Sequence, residues 1–306
     1  MFDIDYVFPY VNNSEPVWIE TFKKYCIENN KENLLDSING DRYKDFGLLP
    51  TLINCIKTNM SWIRKIHIIV SNVEQLPPEI RNDEKVHVVL HKYIIPNNFL
   101  PTFNSTTIEM FLHNIKDLAE HFIYGNDDMF PVDKLEPSDF FNEDGTKIKI
   151  NFNREKLSII PAQFRQVCYN NTKTVIDCFG LPNTLNKREY YRPCHSISPM
   201  IKSYCIEVFN KCKDKIYEQI RAFRTGLQHN QYIFLVYLYL LNLTEESPIS
   251  FKYVCCKNTV QDIVDNIKNK NNQIICINDT PNKNRDDILN SSYTIIEAFK
   301  ERLSNA

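Results

Sequence analysis

The stretch IDYVFPYVNNS, Ile4 to Ser14, runs through β-branched and aromatic residues and then breaks into Asn12-Asn13-Ser14. A short apolar run bounded by turn formers reads as a buried strand, here Ile4 to Val11. The same signature returns at Lys65 to Val70, at Val86 to His91 and at His121 to Gly125. Between the first two, Leu48 to Asn59 repeats its apolar residues at helical spacing. A further helix is expected from Ser105 to His113, with Asn104 or Ser105 as its N-cap. Strands alternating with helices predict an α/β sheet with parallel strands, whose ligands collect beyond the carboxyl ends of the strands. Asn12-Asn13-Ser14 and Asn126-Asp127-Asp128 both follow strands, and on this pattern they are candidates to face one crevice.

Beyond Phe140 the pattern changes. Lys147 to Asn153 alternates like an edge strand, and the chain from Gln163 onward reads as mainly helical with loops. Asn183 to Pro199, polar, aromatic and punctuated by prolines, reads as a loop lining a site, and Ile220 to Leu241 as a packed helix. Lys257 to Asn272 is rich in Lys, Asn and Asp and reads as solvated periphery. The expected organisation is an α/β core over 1–150, a helical and loop part over 151–256 that completes the active site, and a peripheral segment over 257–306, all in one compact catalytic unit.

With 306 residues, 43% hydrophobic and 24% charged, the chain can bury a substantial core and is not globally disordered. Its net charge of −2 supplies no general basic field, so no nucleic-acid partner is expected. Ten cysteines fall at no zinc-ligand spacing, which predicts mostly free, buried thiols in a reducing compartment. MFDIDYVFPYV carries Asp3 and Asp5 and no basic leader, and the apolar run Tyr232 to Leu243 is too short to span a bilayer. The expected location is therefore cytoplasmic.

Two readings stand for Asn126-Asp127-Asp128. These residue types bond their own backbone and form turns. Alternatively, one carboxylate holds a divalent cation on a diphosphate, since Mg²⁺ is commonly bound by one or two carboxylates plus phosphates. Neighbouring residues after a strand point to opposite sides, so Asp127 and Asp128 are not expected to share one job. His195, in Arg192-Pro193-Cys194-His195-Ser196, has the pKa range of a general base, and Arg224 the geometry to clamp a phosphate in bidentate fashion. The alternatives are a structural histidine and a surface arginine at a helix end. No GxGxxG or Walker loop is present among six glycines, which disfavours a dehydrogenase or P-loop enzyme.

Taken in order, these segments resemble the Stealth family of sugar-1-phosphate transferases, which includes bacterial capsule enzymes and the catalytic subunit of animal lysosomal-enzyme GlcNAc-1-phosphotransferase. Ile4 to Trp18 is similar to the family's first motif region, close to IDVVYTWVDGSDPAW. Arg42-Tyr43-Lys44-Asp45 resembles RYRD, Ser61 to Ile66 resembles PWVRKI, Leu100 to Ser105 matches LPTFNS, and Tyr124 to Phe130 resembles YFNDDMFF. The pattern also runs through Ile108-Glu109 and His113. His195 to Met200 resembles HxPHPL, and Phe223-Arg224-Thr225 an FR-polar-acidic segment. The chain departs from the family where Leu48 and Pro50 stand in place of an acidic and a basic residue, where Asn12 replaces a common aspartate, and where Gln228 or His229 replaces an acid after Arg224.

The resemblance implies a Rossmann-like, GT-A-like nucleotide-sugar transferase sheet flanked by helices, with a mainly helical C-terminal part. It also implies transfer of a hexose-1-phosphate, such as GlcNAc-1-phosphate, from a UDP-sugar to a glycan hydroxyl, with UMP released, in capsule or cell-surface polysaccharide synthesis. The implied cofactor is Mg²⁺ or Mn²⁺ on Asp128 and Asp127. Asp128, His195 and Arg224 are the implied catalytic residues. Pro9, Tyr10, Val11, Asn12, Arg42, Asp45, Asn104 and Arg192 are implied to bind the donor. A lipid-linked acceptor would bring the protein transiently to the inner face of the membrane. Two competing expectations are a conventional nucleotide-sugar glycosyltransferase releasing UDP and an inactive carbohydrate-binding relative.

Overall fold

A computed structural model describes residues 2–39, 43, 47–255, 259–278 and 290–304. Arg42 and Asp45 lie outside the described residues. In chain order the regular elements are β1 (Ile4–Pro9), α1 (Pro16–Glu28), α2 (Leu49–Asn59), β2 (Ile66–Val70), α3 (Pro78–Arg81), β3 (Val86–Leu90), α4 (His91–Ile94), α5 (Ser105–Glu109), β4 (His121–Tyr124) and β5 (Met129–Pro131). They continue with β6 (Ile148–Lys149), β7 (Phe152–Lys156), α6 (Gln163–Phe179), β8 (Glu189–Pro193), β9 (Ser198–Ile201), α7 (Lys202–Gln219), α8 (Tyr232–Leu240), β10 (Thr244–Glu245), β11 (Phe251–Cys255), α9 (Val260–Lys268), β12 (Ile274–Asn278) and α10 (Ser292–Ser304). The expected mixed α/β class with parallel strands is borne out, and so is the helical content of the later chain. The structure divides into two compact units, one from Met1–Asp5, Val89–Tyr124 and Phe140–Ser247, the other from Tyr6–Val88, Gly125–Asp139 and Pro248–Ala306.

In the second unit β1 runs parallel to β2, with Tyr6 opposite Ile66 and Pro9 opposite Ile69. Every residue of β2 is buried, as an apolar parallel strand covered on both faces must be. α2 turns Leu49, Leu52, Ile53 and Ile56 inward, the stripe its spacing predicts. A second sheet forms from β12, which pairs parallel with β11 and antiparallel with β5. The polar stretch read as solvated periphery holds α9, whose N-terminus is closed by a reciprocal Thr259–Asp262 capping box and whose Ile263, Val264 and Ile267 are buried. Only its outward face is solvated. The α10 helix sets Phe299 against Phe130, ring centroids 4.8 Å apart, and its Arg302 donates to the Val132 carbonyl and to Asp133.

In the first unit β4 and β9 pair antiparallel, and β7 pairs antiparallel with β8, Phe152 opposite Pro193 and Lys156 opposite Glu189. The segment Lys147 to Asn153, expected as one edge strand, is divided between β6 and β7. Asn183 to Pro199, expected as a loop, contains β8, because Tyr190, Tyr191 and Pro193 are buried when the strand closes on β7. The α8 helix begins twelve residues after the expected start at Ile220. Gln228, His229, Asn230 and Gln231 are buried there, and their side chains or amides bond outside the segment. α6, α7 and α8 pack on one another, with Phe179 stacked on Tyr237 at 4.2 Å. Among the described residues, no helix is long and apolar enough to cross a membrane, and eight cysteines are free, most of them buried.

Candidate functional site

In the second unit, Gly125 donates its N–H to the Val7 carbonyl of β1 and so delivers the chain into a tight turn closed by Met129 N–H on Asn126 O, 3.2 Å. Asp127 and Asp128 occupy the tip of that turn, so the turn reading is correct as geometry. It does not exhaust the site. The two carboxylates differ, as their adjacency requires: Asp127 is exposed and Asp128 half-buried. Asp128 Oδ2 accepts from Asn278 Nδ2 at 3.1 Å and from the Cys276 thiol at 3.3 Å, both on β12, while its backbone carbonyl accepts from Ile277 N–H. Oδ1 is buried with no hydrogen-bond partner. A buried carboxylate oxygen left unpaired is costly, so such groups mark places where a missing cation or ligand belongs. Burial and the Asp128 charge together push the Cys276 thiol well up, which keeps it the donor in this contact.

Tyr6 lies beneath the same turn. Its hydroxyl is fully buried and unpartnered, and a Cβ placed on Gly125 would sit 2.2 Å from it. Burial, with the Asp128 charge second, holds that phenol far above its usual range, so it stays neutral. The other candidates of this unit follow β1. Tyr10 is buried and donates its N–H to Ile69 O. Asn12 N–H donates to Gln75 Oε1 at 2.9 Å, and Asn12 Oδ1 accepts from Ser14 N–H, so its side chain is spent locally. Pro9, Tyr10, Val11 and Asn12 thus form a fixed exit from the strand.

In the first unit, Asn104 caps α5: its Oδ1 accepts from Thr106 N–H and its Nδ2 donates to Arg221 O at 3.1 Å. That bond, with Thr107 Oγ on the same carbonyl, ties α5 to the segment carrying Arg224. Arg224 itself is exposed and donates to Ser105 Oγ. Glu109, at the other end of α5, is 4% exposed, and its two oxygens accept from Tyr124 Oη and Gln231 N–H, 3.1 Å each. Burial pushes its carboxyl up, and the Arg224 charge opposes that shift. Asn104, Ser105, Glu109 and Arg224 therefore form one polar cluster.

His195 stands on the turn between β8 and β9. Its Nδ1 lies 3.1 Å from Tyr232 Oη, and Phe164 meets its ring edge-on at 6.1 Å. Burial keeps the Tyr232 phenol protonated. If that O–H donates to Nδ1, the proton of the neutral imidazole sits on Nε2; if Nδ1–H donates to the phenol, Nε2 is the basic nitrogen. The first turn of α6 touches both sets, since Gln163 Nε2 donates to Arg224 O and Phe164 abuts His195. Arg192 is occupied otherwise: its Nε donates to Glu155 Oε1 at 2.7 Å, and Glu155 also receives Arg165 and Tyr190 Oη. Two arginines on one carboxylate leave a surplus positive charge.

Residues 42–149 match the model of the Stealth protein CR2, conserved region 2. This chain carries the Stealth conserved region 2. The matched region holds Asn104, Glu109, Asp127 and Asp128, so the resemblance drawn from the motifs is borne out over residues 42–149. The chain is 37% identical over 145 residues to a capsular polysaccharide phosphotransferase of Aeromonas hydrophila, a match covering 47% of this chain and 40% of the relative. It is 35% identical over 145 residues to an exopolysaccharide phosphotransferase of Lactiplantibacillus plantarum, covering 47% and 41%. A receptor polysaccharide phosphotransferase of Streptococcus oralis is 29% identical over 204 residues, covering 65% and 59%. The chain thus spans about half the length of the relatives it matches.

Four participants are not legible in the sequence alone. Glu109 lay inside a quoted motif without a role, although an acid in a short helix whose other residues are Ser, Thr and Ile is itself a signal. Tyr6 read as strand core. Cys276 and Asn278 sit 148 and 150 residues from Asp128, and no local pattern links them.

Proposed function

We propose that this protein transfers a sugar-1-phosphate from a UDP-linked donor to a glycan hydroxyl in capsule or exopolysaccharide synthesis, releasing UMP. The supporting observation is Asp128, anchored through one oxygen by Asn278 and Cys276 and presenting a second oxygen that no protein group satisfies. That arrangement fits a divalent cation, Mg²⁺ or Mn²⁺, with exposed Asp127 as the second ligand and diphosphate oxygens completing the shell. The bound cation would neutralise charge on the diphosphate. In the reaction the acceptor oxygen attacks the phosphorus nearest the sugar, the bond from that phosphorus to the UMP oxygen breaks, and the hydroxyl proton passes to a base.

His195 is assigned as that base, through Nε2 when Nδ1–H donates to Tyr232. Arg224, steadied by Ser105, is assigned to the phosphate oxygens. Glu109 positions Arg224 by charge and holds the loop through Gln231. Names of the related phosphotransferases point to the same chemistry, and a soluble or lipid-linked glycan is the acceptor this reading requires. The test incubates the protein with nucleotide sugars, Mg²⁺ or Mn²⁺ and short glycans, and identifies the nucleotide released. UMP with a phosphodiester product is expected. Asp128→Asn should lower turnover by about 10²-fold or more, the order seen when one electrostatic stabiliser is removed. UDP with a glycosidic product would overturn the assignment.

A further inference from the structure

Ile159 and Ile160 are 88% and 90% exposed, the most exposed large apolar side chains among the described residues. They sit at the tip of the connection from β7 to α6, and this tip is built. Leu157 N–H donates to Arg188 O at 2.8 Å, the Arg188 side chain donates to Ser158 O, and Ser158 Oγ donates to Ile160 O at 3.0 Å. Arg188 makes these contacts from the left-handed region, φ +71°, an uncommon conformation for a side-chain-bearing residue. The loop is therefore held in the form that turns both isoleucines away from the protein.

The surroundings of the tip are basic. Across 151–165 and 183–193 there are six Lys or Arg residues against two acids, in a chain whose net charge is −2. Both acids are committed, Glu189 to Arg154 and Glu155 to Arg165 and Arg192. Lys156 and Lys187 flank the tip, are exposed, and enter no ion pair among the described residues. Phe164, 39% exposed and on the first turn of α6 after the tip, adds apolar surface beside His195.

We propose that the Ser158–Ala162 tip is a membrane-contacting element that inserts Ile159 and Ile160 into the interfacial layer of an anionic bilayer, while Lys156 and Lys187 lie against its headgroups. Interfacial binding grows with buried apolar area and with attraction to anionic lipid, and the tip pairs these two terms within a few residues. Phe164, in the helical turn that follows the tip, meets His195 edge-on, so on the proposed function such a contact would bring a lipid-linked acceptor toward that histidine.

The test is co-sedimentation of the full chain with vesicles of phosphatidylcholine alone or mixed with phosphatidylglycerol, at low and high salt. Binding to the phosphatidylglycerol vesicles is expected, weakened by salt. It should fall about tenfold or more in Ile159→Ser/Ile160→Ser and in Lys156→Glu/Lys187→Glu, whereas Tyr93→Ser, at an exposed site elsewhere on the unit, should change nothing. Circular dichroism and the thermal midpoint should be unaltered, since all these side chains are exposed. No binding by the parent chain, or equal binding by the isoleucine variant, overturns the proposal. So does a fall in self-association of the isoleucine variant in lipid-free sedimentation without a change in vesicle binding, which would make the tip a protein contact. Vesicle binding needs no turnover, so its failure is separable from failure of the phosphotransferase assignment.

Discussion

Gly125→Ala tests the packing beneath the Asp127–Asp128 turn. The added Cβ would lie 2.2 Å from Tyr6 Oη, 3.0 Å from Cζ and 3.2 Å from Cε1. The first distance is about 1 Å short of ordinary contact. Tyr6 is completely buried and has no room to withdraw. Overpacking of this kind costs about 1–3 kcal/mol, offset by about 0.4–1 kcal/mol because alanine restricts the unfolded chain. The net loss expected is about 1–2 kcal/mol. Tyr6→Phe removes the clashing oxygen and with it a buried hydroxyl that has no partner, so alone it should be neutral or stabilising by about 1 kcal/mol. In that background Gly125→Ala meets only carbon at 3.0 Å, and its cost should fall by at least half. Urea unfolding of the four proteins measures this, and fluorescence suits it because Trp18 and Trp62, the two tryptophans, lie in the same unit as the turn. Additive single effects, or a harmless Gly125→Ala, would refute the reasoning.

Two further outcomes concern acid and base. His91, His113 and His229 are all held down to about 4 by burial, with Lys202 and Lys215 adding to the last two. Their folded pKa lies below the unfolded one, so the stability they contribute is present above about pH 6.5 and is lost as pH falls toward 4. Each can add up to about 1.4 kcal/mol per pH unit to the slope of unfolding free energy. Urea titrations from neutral pH to about pH 5 should show that loss, reduced in single His→Gln variants, and a flat profile would refute it. Glu109 has the opposite sign: its carboxyl is raised above 4.5 by burial, so its contribution is present below that pH and lost as pH climbs through the folded value. Glu109→Gln should remove this component while retaining an acceptor for Tyr124. Glu109→Ala strands the Tyr124 hydroxyl and Gln231 N–H and should cost about 2–4 kcal/mol in the same assay.

What the sequence disclosed followed from periodicity. β2 could be read because all five of its residues face a core, and α2 because its buried residues fall on one stripe. A cap at Asn104 or Ser105 is legible because both residue types suit a helix start, and the structure settles it on Asn104. The missed elements share a different cause. β8, Glu-Tyr-Tyr-Arg-Pro, buries two adjacent tyrosines and shows no two-residue alternation, so its pairing with β7, rather than its own pattern, makes it a strand. The start of α8 was misplaced because Gln228 to Gln231 look compatible with a helix, yet the bond from Asn171 to Asn230 and that from Gln231 to Glu109 draw them into tertiary contacts. Arg192 was legible as a cation but not as a partner of Glu155, which depends on register across two strands.

The dependence of Asp128 on β12 carries a consequence in time. The Asp128 carboxylate is anchored by hydrogen bonds from residues about 148 positions later, and at ordinary rates of synthesis those residues emerge ~7–30 s after Asp128 itself. Until then its carboxylate lacks the amide and thiol that fix it. On the proposed function, the nascent chain should therefore be unable to hold its donor productively at this turn until β12 has been made and has paired with β5.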